Sequence, residues 1–359
     1  MKILFTYYIP SGGIETLNRL RCQALRQRGI EAEQLYLWDG AGKQNIRDIP
    51  TYLTNDQQQL AGLVHARQYD AIVVTCDHFM LERLRGVGYP GTLIYEAQGL
   101  ESVEAANSTL EFASMFVRSH AQGVIAPPTS HLMQLFQKYF GDFPRFYIQN
   151  MVDTNRFSYV HAPDLNPSEA PILMWVGRLE TNKNWRYFLE IGAALASHVP
   201  NLQLWMFEDA NISEPGERVH FQAMVASLGL GRRLKVFSNM PHDHMPHYFS
   251  VTGYSGGMLV STSKVEGFGY AVAEAMSCRC PVLATDSDGV RHFIDHDVTG
   301  KFMTASVHDA VRQALDLMRN ASLRKSVIAQ GEARIRTLFT PERYVSDLIN
   351  VMRALGHPI

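Results

Sequence analysis

The sequence predicts an α/β protein of two Rossmann-like domains whose parallel sheets face each other across a cleft. Three observations carry this reading. Short apolar runs alternate with helix-patterned stretches along the whole chain, the pattern of strand–helix–strand units whose sheet is covered on both faces. A length of 359 residues suits two domains better than one. A polar stretch with three prolines, residues 159–171, interrupts the alternation and reads as a linker.

The elements follow in order. In the first half, strands are expected at residues 2–7, 32–37, 71–75, 92–95, 123–126 and 145–148. Helical spacing separates them at 15–28, 55–67, 102–120 and 130–140. In the second half, strands are expected at 172–176, 202–207, 234–237, 257–261 and 281–285. A helix at 270–277 follows the fourth of these. A last helix opens at Thr340-Pro341-Glu342, where a side-chain cap precedes a proline in the first turn. The expected domains are residues 1–160 together with the final helix, 341–359, and residues 161–340. Ligands of such sheets bind at the carboxyl ends of the strands.

Composition excludes several classes of function. The formal net charge is -2, and the two halves are balanced alike. Residues 1–160 hold 14 Lys/Arg against 15 Asp/Glu, and residues 161–359 hold 19 against 20. No polyanion-binding footprint exists, so nucleic acid is not an expected partner. No run of about 18 apolar residues occurs, and no signal peptide is legible. With only four cysteines, this predicts a cytoplasmic protein. Cys278 and Cys280 have the wrong spacing for a zinc site and read as structural. The helix at 15–28 carries Arg19, Arg21, Arg26 and Arg28. They could form a solvated face or meet anionic headgroups at a membrane surface.

The chemistry concentrates in Ser261-Thr-Ser-Lys-Val-Glu266-Gly267-Phe268-Gly269-Tyr270-Ala271-Val-Ala-Glu274. A buried strand leads into a glycine turn and then a helix. Orphan N–H groups and the helix dipole make that junction an anion cradle. Two carboxylates, Glu266 and Glu274, flank it. A second motif, Trp175-Val-Gly-Arg178-Leu-Glu-Thr-Asn-Lys183, sets two cations after a strand end. Two cations held at such a point stabilise negative charge that develops on a bound group. Arg contributes a fork and Lys a point charge. A third motif, Pro10-Ser-Gly12-Gly13, follows the first strand and frees backbone for close approach. It does not meet the dinucleotide fingerprint.

Together these strings resemble the retaining glycosyltransferases of family 4, which have the two-domain GT-B fold. The resemblance spans most of the chain and is strongest in the second domain. It implies transfer of a sugar from a nucleoside diphosphate sugar, with UDP the commonest carrier, to a glycan, lipid-linked or small-molecule hydroxyl. No metal or other cofactor is implied, because Arg178 and Lys183 stand where other transferases use a divalent ion. Glu266 would bind donor-sugar hydroxyls with the backbone of residues 267–269. Glu274 would hold the ribose. Tyr270 and Ala271 would present N–H groups to the donor, and the loop of Gly12 and Gly13 would touch the donor phosphate or the acceptor. Loops beginning Glu208-Asp-Ala and Ser238-Asn-Met-Pro would border the base. The last helix would return to the first domain.

One departure stands out. Where family members place a histidine, this chain has Gln98, in Ile94-Tyr-Glu96-Ala-Gln98-Gly. Glutamine can orient a sugar but cannot titrate. Gln98 would take that role, or Glu96 or Glu101 would supply a polar group. Asp77, His78 and Glu96 are the candidates on the acceptor side. The rival readings are an epimerase of the same fold, or a sugar-nucleotide-binding protein without transferase activity.

Overall fold

The computed structural model describes residues 1–100 and 103–358. Its first half runs β1 (Lys2–Tyr7), α1 (Gly12–Gln27), β2 (Glu31–Tyr36), β3 (Thr51–Leu53), α2 (Gln57–Arg67), β4 (Ala71–Thr75), α3 (His78–Gly86), β5 (Thr92–Glu96), α4 (Val103–His120), β6 (Gly123–Ala126), α5 (Ser130–Phe140) and β7 (Arg145–Tyr147). Its second half runs β8 (Ile172–Val176), α6 (Trp185–Ala196), β9 (Gln203–Glu208), α7 (Glu217–Ser227), β10 (Leu234–Ser238), α8 (Met245–Tyr254), β11 (Met258–Ser261), α9 (Tyr270–Ser277), β12 (Val282–Thr285), β13 (Lys301–Met303), α10 (Val307–Arg319), α11 (Ala321–Leu338) and α12 (Pro341–Ala354). The chain divides into two units, residues 1–151 with 339–359, and residues 152–338.

The first unit holds a seven-stranded sheet in the order β3-β2-β1-β4-β5-β6-β7, and the second a six-stranded sheet in the order β10-β9-β8-β11-β12-β13. Every registered strand pair is parallel. The central strands are buried throughout, as sheets covered on both faces require. In each unit the order reverses beside its first strand, so the switch points lie between β1 and β4 and between β8 and β11. Crevices at the carboxyl ends of strands around such points are where open α/β sheets bind ligands.

Short elements escaped the sequence. β3 and β13 have three residues each, too few to show a period. The helix α3 was hidden because its cap, Asp77, reads as the end of a strand. Its side chain accepts the Met80 N–H. The helix expected from residue 102 is described from Val103 onward. Thr340 caps α12 through the Arg343 N–H, with Pro341 in the first turn, and α12 belongs to the first unit.

The change of unit at residues 151–152 precedes the expected linker, because the intervening segment is tied into the second unit. Phe157 is buried against the rings of Phe249 and His242. Arg156 pairs with Asp243 at 2.9 Å, and Arg336 donates to the Thr154 carbonyl at 3.0 Å. In α1, Arg19 and Arg21 are fully buried and face no solvent or headgroup, while Arg26 and Arg28 are exposed. Among the described residues no helix is long and apolar enough to cross a membrane.

One glycine sets the closest approach of the central strands. A Cβ at Gly257, just before β11, would lie 1.9 Å from the Ile172 carbonyl oxygen of β8. Gly257→Ala is expected to destabilise the second unit by about 3 kcal/mol, the upper range for overpacking. Chemical denaturation measures it. A loss below about 1 kcal/mol would mean that the strands shift apart cheaply.

Candidate active site

At the switch point of the second sheet, the loops after β8 and β11 meet. Glycine at 177 lets the first loop fold back, since a Cβ there would lie 2.9 Å from the Trp175 ring and 3.2 Å from Lys183 Cγ. Lys183 Nζ then reaches Glu266 Oε1 at 2.6 Å, with both side chains half-buried. The neighbouring Asn182 stitches the loops together. Its Nδ2 donates to the Val265 carbonyl, and its Oδ1 accepts the Val265 N–H, each at 3.1 Å. Its own carbonyl accepts the Lys264 N–H at 2.8 Å. Thr262 donates to the Lys183 carbonyl at 2.8 Å and accepts from Trp175 Nε1 at 3.0 Å. Lys183 is therefore positioned from both sides, by its neighbour and by the residue that follows β11.

A third loop, after β12, closes on the glycine turn. The Gly289 N–H donates to the Glu266 carbonyl at 3.0 Å, and a Cβ at 289 would come within 2.4 Å of that oxygen. Gly269, at φ 90°, caps α9 with no side-chain hydrogen bond. The first N–H groups of α9, beginning at Tyr270 and Ala271, have no helical carbonyl to donate to, which is the physical basis of an anion cradle. Phe268 is buried, its ring 4.8 Å from that of Tyr270 and 5.5 Å from that of Phe293. Its side chain shapes the turn, and its backbone and that of Gly267 line it.

Arg178 is more exposed than Lys183 and pairs with Glu180 at 3.2 Å rather than with Glu266. Glu274, on α9, is buried, and His242 Nε2 donates to its Oε1 at 3.0 Å. The loops after β9 and β10 are joined. The Asn239 N–H donates to the Glu208 carbonyl at 2.9 Å, Ser238 donates to the Glu208 carboxylate, and Arg218 holds the same carboxylate at 2.7 Å. Cys278 and Cys280 are buried free thiols, and burial pushes both thiols up, that of Cys280 to about 12.

In the first unit, Gly12 at φ 66° opens α1, and Gly13 follows. The Gly42 N–H donates to the Pro10 carbonyl at 2.8 Å, so the loop after β2 backs this turn. At the end of β5, Glu96 is fully buried and held by Arg21 at 2.8 and 2.9 Å and by Thr75 at 2.7 Å. Gln98 Nε2 donates to Glu96 Oε1 at 3.1 Å, and Gln98 Oε1 accepts from Asn150 Nδ2 at 2.9 Å. The Gln98 amide is thus oriented from both ends. Asn150 serves this pair, whereas Asp153 organises its turn by accepting the Asn155 and Arg156 N–H groups. Glu101 lies outside the described residues.

Asp77 and His78 are neighbours in sequence with separate surroundings. Asp77 is buried at the start of α3, and burial raises its carboxyl. Cys76 before it has φ 58°, and burial pushes its thiol to about 12. The His78 ring lies among Phe79, Phe112 and Phe116, at 4.2 to 5.3 Å, and burial lowers its imidazole. The structure thus joins Lys183 to Glu266 and Glu96 to Gln98, but records no bond from Asp77 or His78 to Gln98. Asn182, Thr262, His242 and Asn150 were not given these partners by the sequence. Asn182 had a signal in its place beside Lys183, and Asn150 one in Asn150-Met-Val-Asp153, a pair expected to organise the turn between the domains.

Residues 160–334 match the family model of glycosyl transferases group 1. These residues form a group 1 glycosyl transferase domain. The domain contains both switch-point loops of the second sheet. Curated relatives include the alpha-D-kanosaminyltransferase of Streptomyces kanamyceticus, 28% identical over 152 residues, 41% of this chain and 37% of that protein. The human alpha-1,3/1,6-mannosyltransferase is 29% identical over 199 residues, 51% of this chain and 45% of that protein. The chain spans about half or less of the length of these relatives. Among solved structures, Anabaena HepE in complex with UDP-glucose superimposes with a TM-score of 0.83 at 20% identity, covering 99% of each chain. The sucrose-phosphate synthase of Thermosynechococcus elongatus gives 0.78 at 18%, again covering 99% of each chain. At such identities the likeness establishes the fold, the two Rossmann-like units of the GT-B class. Among the described residues no group of three or more His, Cys, Asp or Glu could hold a metal ion.

Proposed function

We propose that this chain transfers a hexosyl or N-acetylhexosaminyl group from a nucleoside diphosphate sugar to a hydroxyl acceptor, with retention at the anomeric carbon. The observation that carries the reading is the Lys183–Glu266 pair, 2.6 Å apart at the head of the α9 cradle. It puts a cation, a carboxylate and a helix N-terminus at one switch point, as a sugar joined to a diphosphate requires. A glycosidase would need its carboxylates for acid–base work and has no use for a diphosphate clamp.

In this reading Lys183 and Arg178 hold the diphosphate, and Glu274 holds the ribose. Glu266 accepts from donor-sugar hydroxyls, while backbone N–H groups of residues 269–271 face the phosphates. The bond from the anomeric carbon to the diphosphate oxygen breaks, and its electron pair stays on that oxygen. The acceptor oxygen bonds the same carbon on the same face, and its proton passes to the departing phosphate. Cations there stabilise the transition state more than the ground state. Gln98, fixed by Glu96 and Asn150, orients the sugar as a neutral donor and acceptor. Gly12 and Gly13 offer backbone to the donor, and Asp77, His78 and Glu96 stand on the acceptor side. UDP is the expected carrier: HepE, a protein of this fold, has been solved with UDP-glucose.

Calorimetry with UDP-, GDP-, ADP- and dTDP-sugars, without added metal, tests the reading. One donor should bind with micromolar affinity and release its nucleotide on turnover. Binding without any turnover would favour a sugar-nucleotide-binding protein instead. No binding by any donor would refute the donor site.

A further inference from the structure

We infer that His242 is a positioning residue for Glu274 and sets the preference of the nucleotide site for ribose over deoxyribose. The inference rests on the donor-site reading, in which Glu274 meets the ribose. His242 lies in the short connection between β10 and α8, and its side chain is 14% exposed. Its Nε2 donates to Glu274 Oε1 at 3.0 Å, and its ring is 4.7 Å from that of buried Phe157. Among the described residues it is the side chain that pairs with this carboxylate.

A carboxylate buried to this degree needs a donor. Helix α9 supplies the Glu274 backbone but not that partner. The partner comes from the connection after β10, the same connection that begins at Ser238 and binds Glu208. With Oε1 held by His242, Oε2 is the oxygen that would accept from a ligand. A carboxylate oxygen of fixed direction can accept from ribose hydroxyls, and a loose one loses that selectivity. Through Phe157 the same histidine joins the site to the segment entering the second unit.

The test is calorimetry of UDP, GDP and ADP and of their 2′-deoxy counterparts on the full chain. The variants are His242→Leu, which removes the donor, and His242→Gln, whose amide nitrogen can reach a position close to that of Nε2. The wild type should favour the ribonucleotide by about tenfold or more, the size of one hydrogen bond to a charged group. His242→Leu should bring that ratio near one while leaving deoxynucleotide affinity intact, which also reports that the site is folded. His242→Gln should restore most of the ratio. A His242→Leu protein that keeps the wild-type ratio overturns the role of His242 and leaves the donor site standing. A wild type that binds nucleoside diphosphates with no ribose preference overturns the role as well. A wild type that binds no nucleoside diphosphate refutes the donor site itself.

Discussion

Replacing Lys183 by methionine is expected to lower kcat for donor turnover on the order of 100- to 1,000-fold, the usual loss when one preorganised charge-stabilising donor is removed. In the proposed reaction the change should fall mainly on kcat, because the cation would be needed most as the diphosphate gains charge. The pair at 2.6 Å adds a second expectation. Without Lys183, Glu266 loses its cation and its fixed direction. Without Glu266, Lys183 loses the partner that holds it at the mouth of the cradle. The double variant Lys183→Met/Glu266→Gln should therefore be much less impaired than the product of the single effects. Steady-state kinetics on all three proteins measures this. Multiplicative losses would show that the two groups act separately. A loss under tenfold for Lys183→Met would remove that lysine from the chemistry.

The largest effect on stability is expected at Arg21. It is fully buried in α1 and grips Glu96 with two hydrogen bonds, while touching Asn18, Thr75 and the hydroxyl of Tyr344. Its guanidinium lies 3.9 Å from the Phe5 ring. Arg21→Met leaves a buried carboxylate without its cation, and breaking such a pair costs about 3–5 kcal/mol. Glu96→Leu should cost a similar amount by stranding the arginine. Arg21→Met/Glu96→Leu removes both charges and should recover most of the loss, because two well-packed apolar groups often match a buried pair. Chemical denaturation of the four proteins gives the cycle. A double variant as unstable as the sum of the singles would mean that Asn18, Thr75 and Tyr344 carry the stability, and not the pair.

The fold was legible because its signals are local. Apolar runs long enough to show a pattern became strands, and β3 and β13 were missed because three residues carry no period. The glycine turn before α9 was readable for the same reason. Gly267, Gly269 and the helix that follows are contiguous, and the φ of 90° at Gly269 is a demand that glycine meets without strain. The basic face expected of the helix at 15–28 is only half present, in the exposed Arg26 and Arg28. Arg19 and Arg21 look like surface cations in sequence, yet Glu15 and Glu96 take them into the interior.

Residue type and spacing by themselves determined the two parallel α/β units, the glycine turns and the charged groups beside them. Those properties depend on neighbours within a turn or a strand, where chain geometry leaves few choices. Only the tertiary structure decided which partner each charged group meets. Lys183 finds Glu266 across 83 positions, Arg21 finds Glu96 across 75 and Tyr344 across 323, and His242 finds Glu274 across 32. Such pairings follow from strand order and from which loops share a sheet edge. A buried charge takes whatever partner that edge delivers, because being left without one costs several kcal/mol, in general about 3–5.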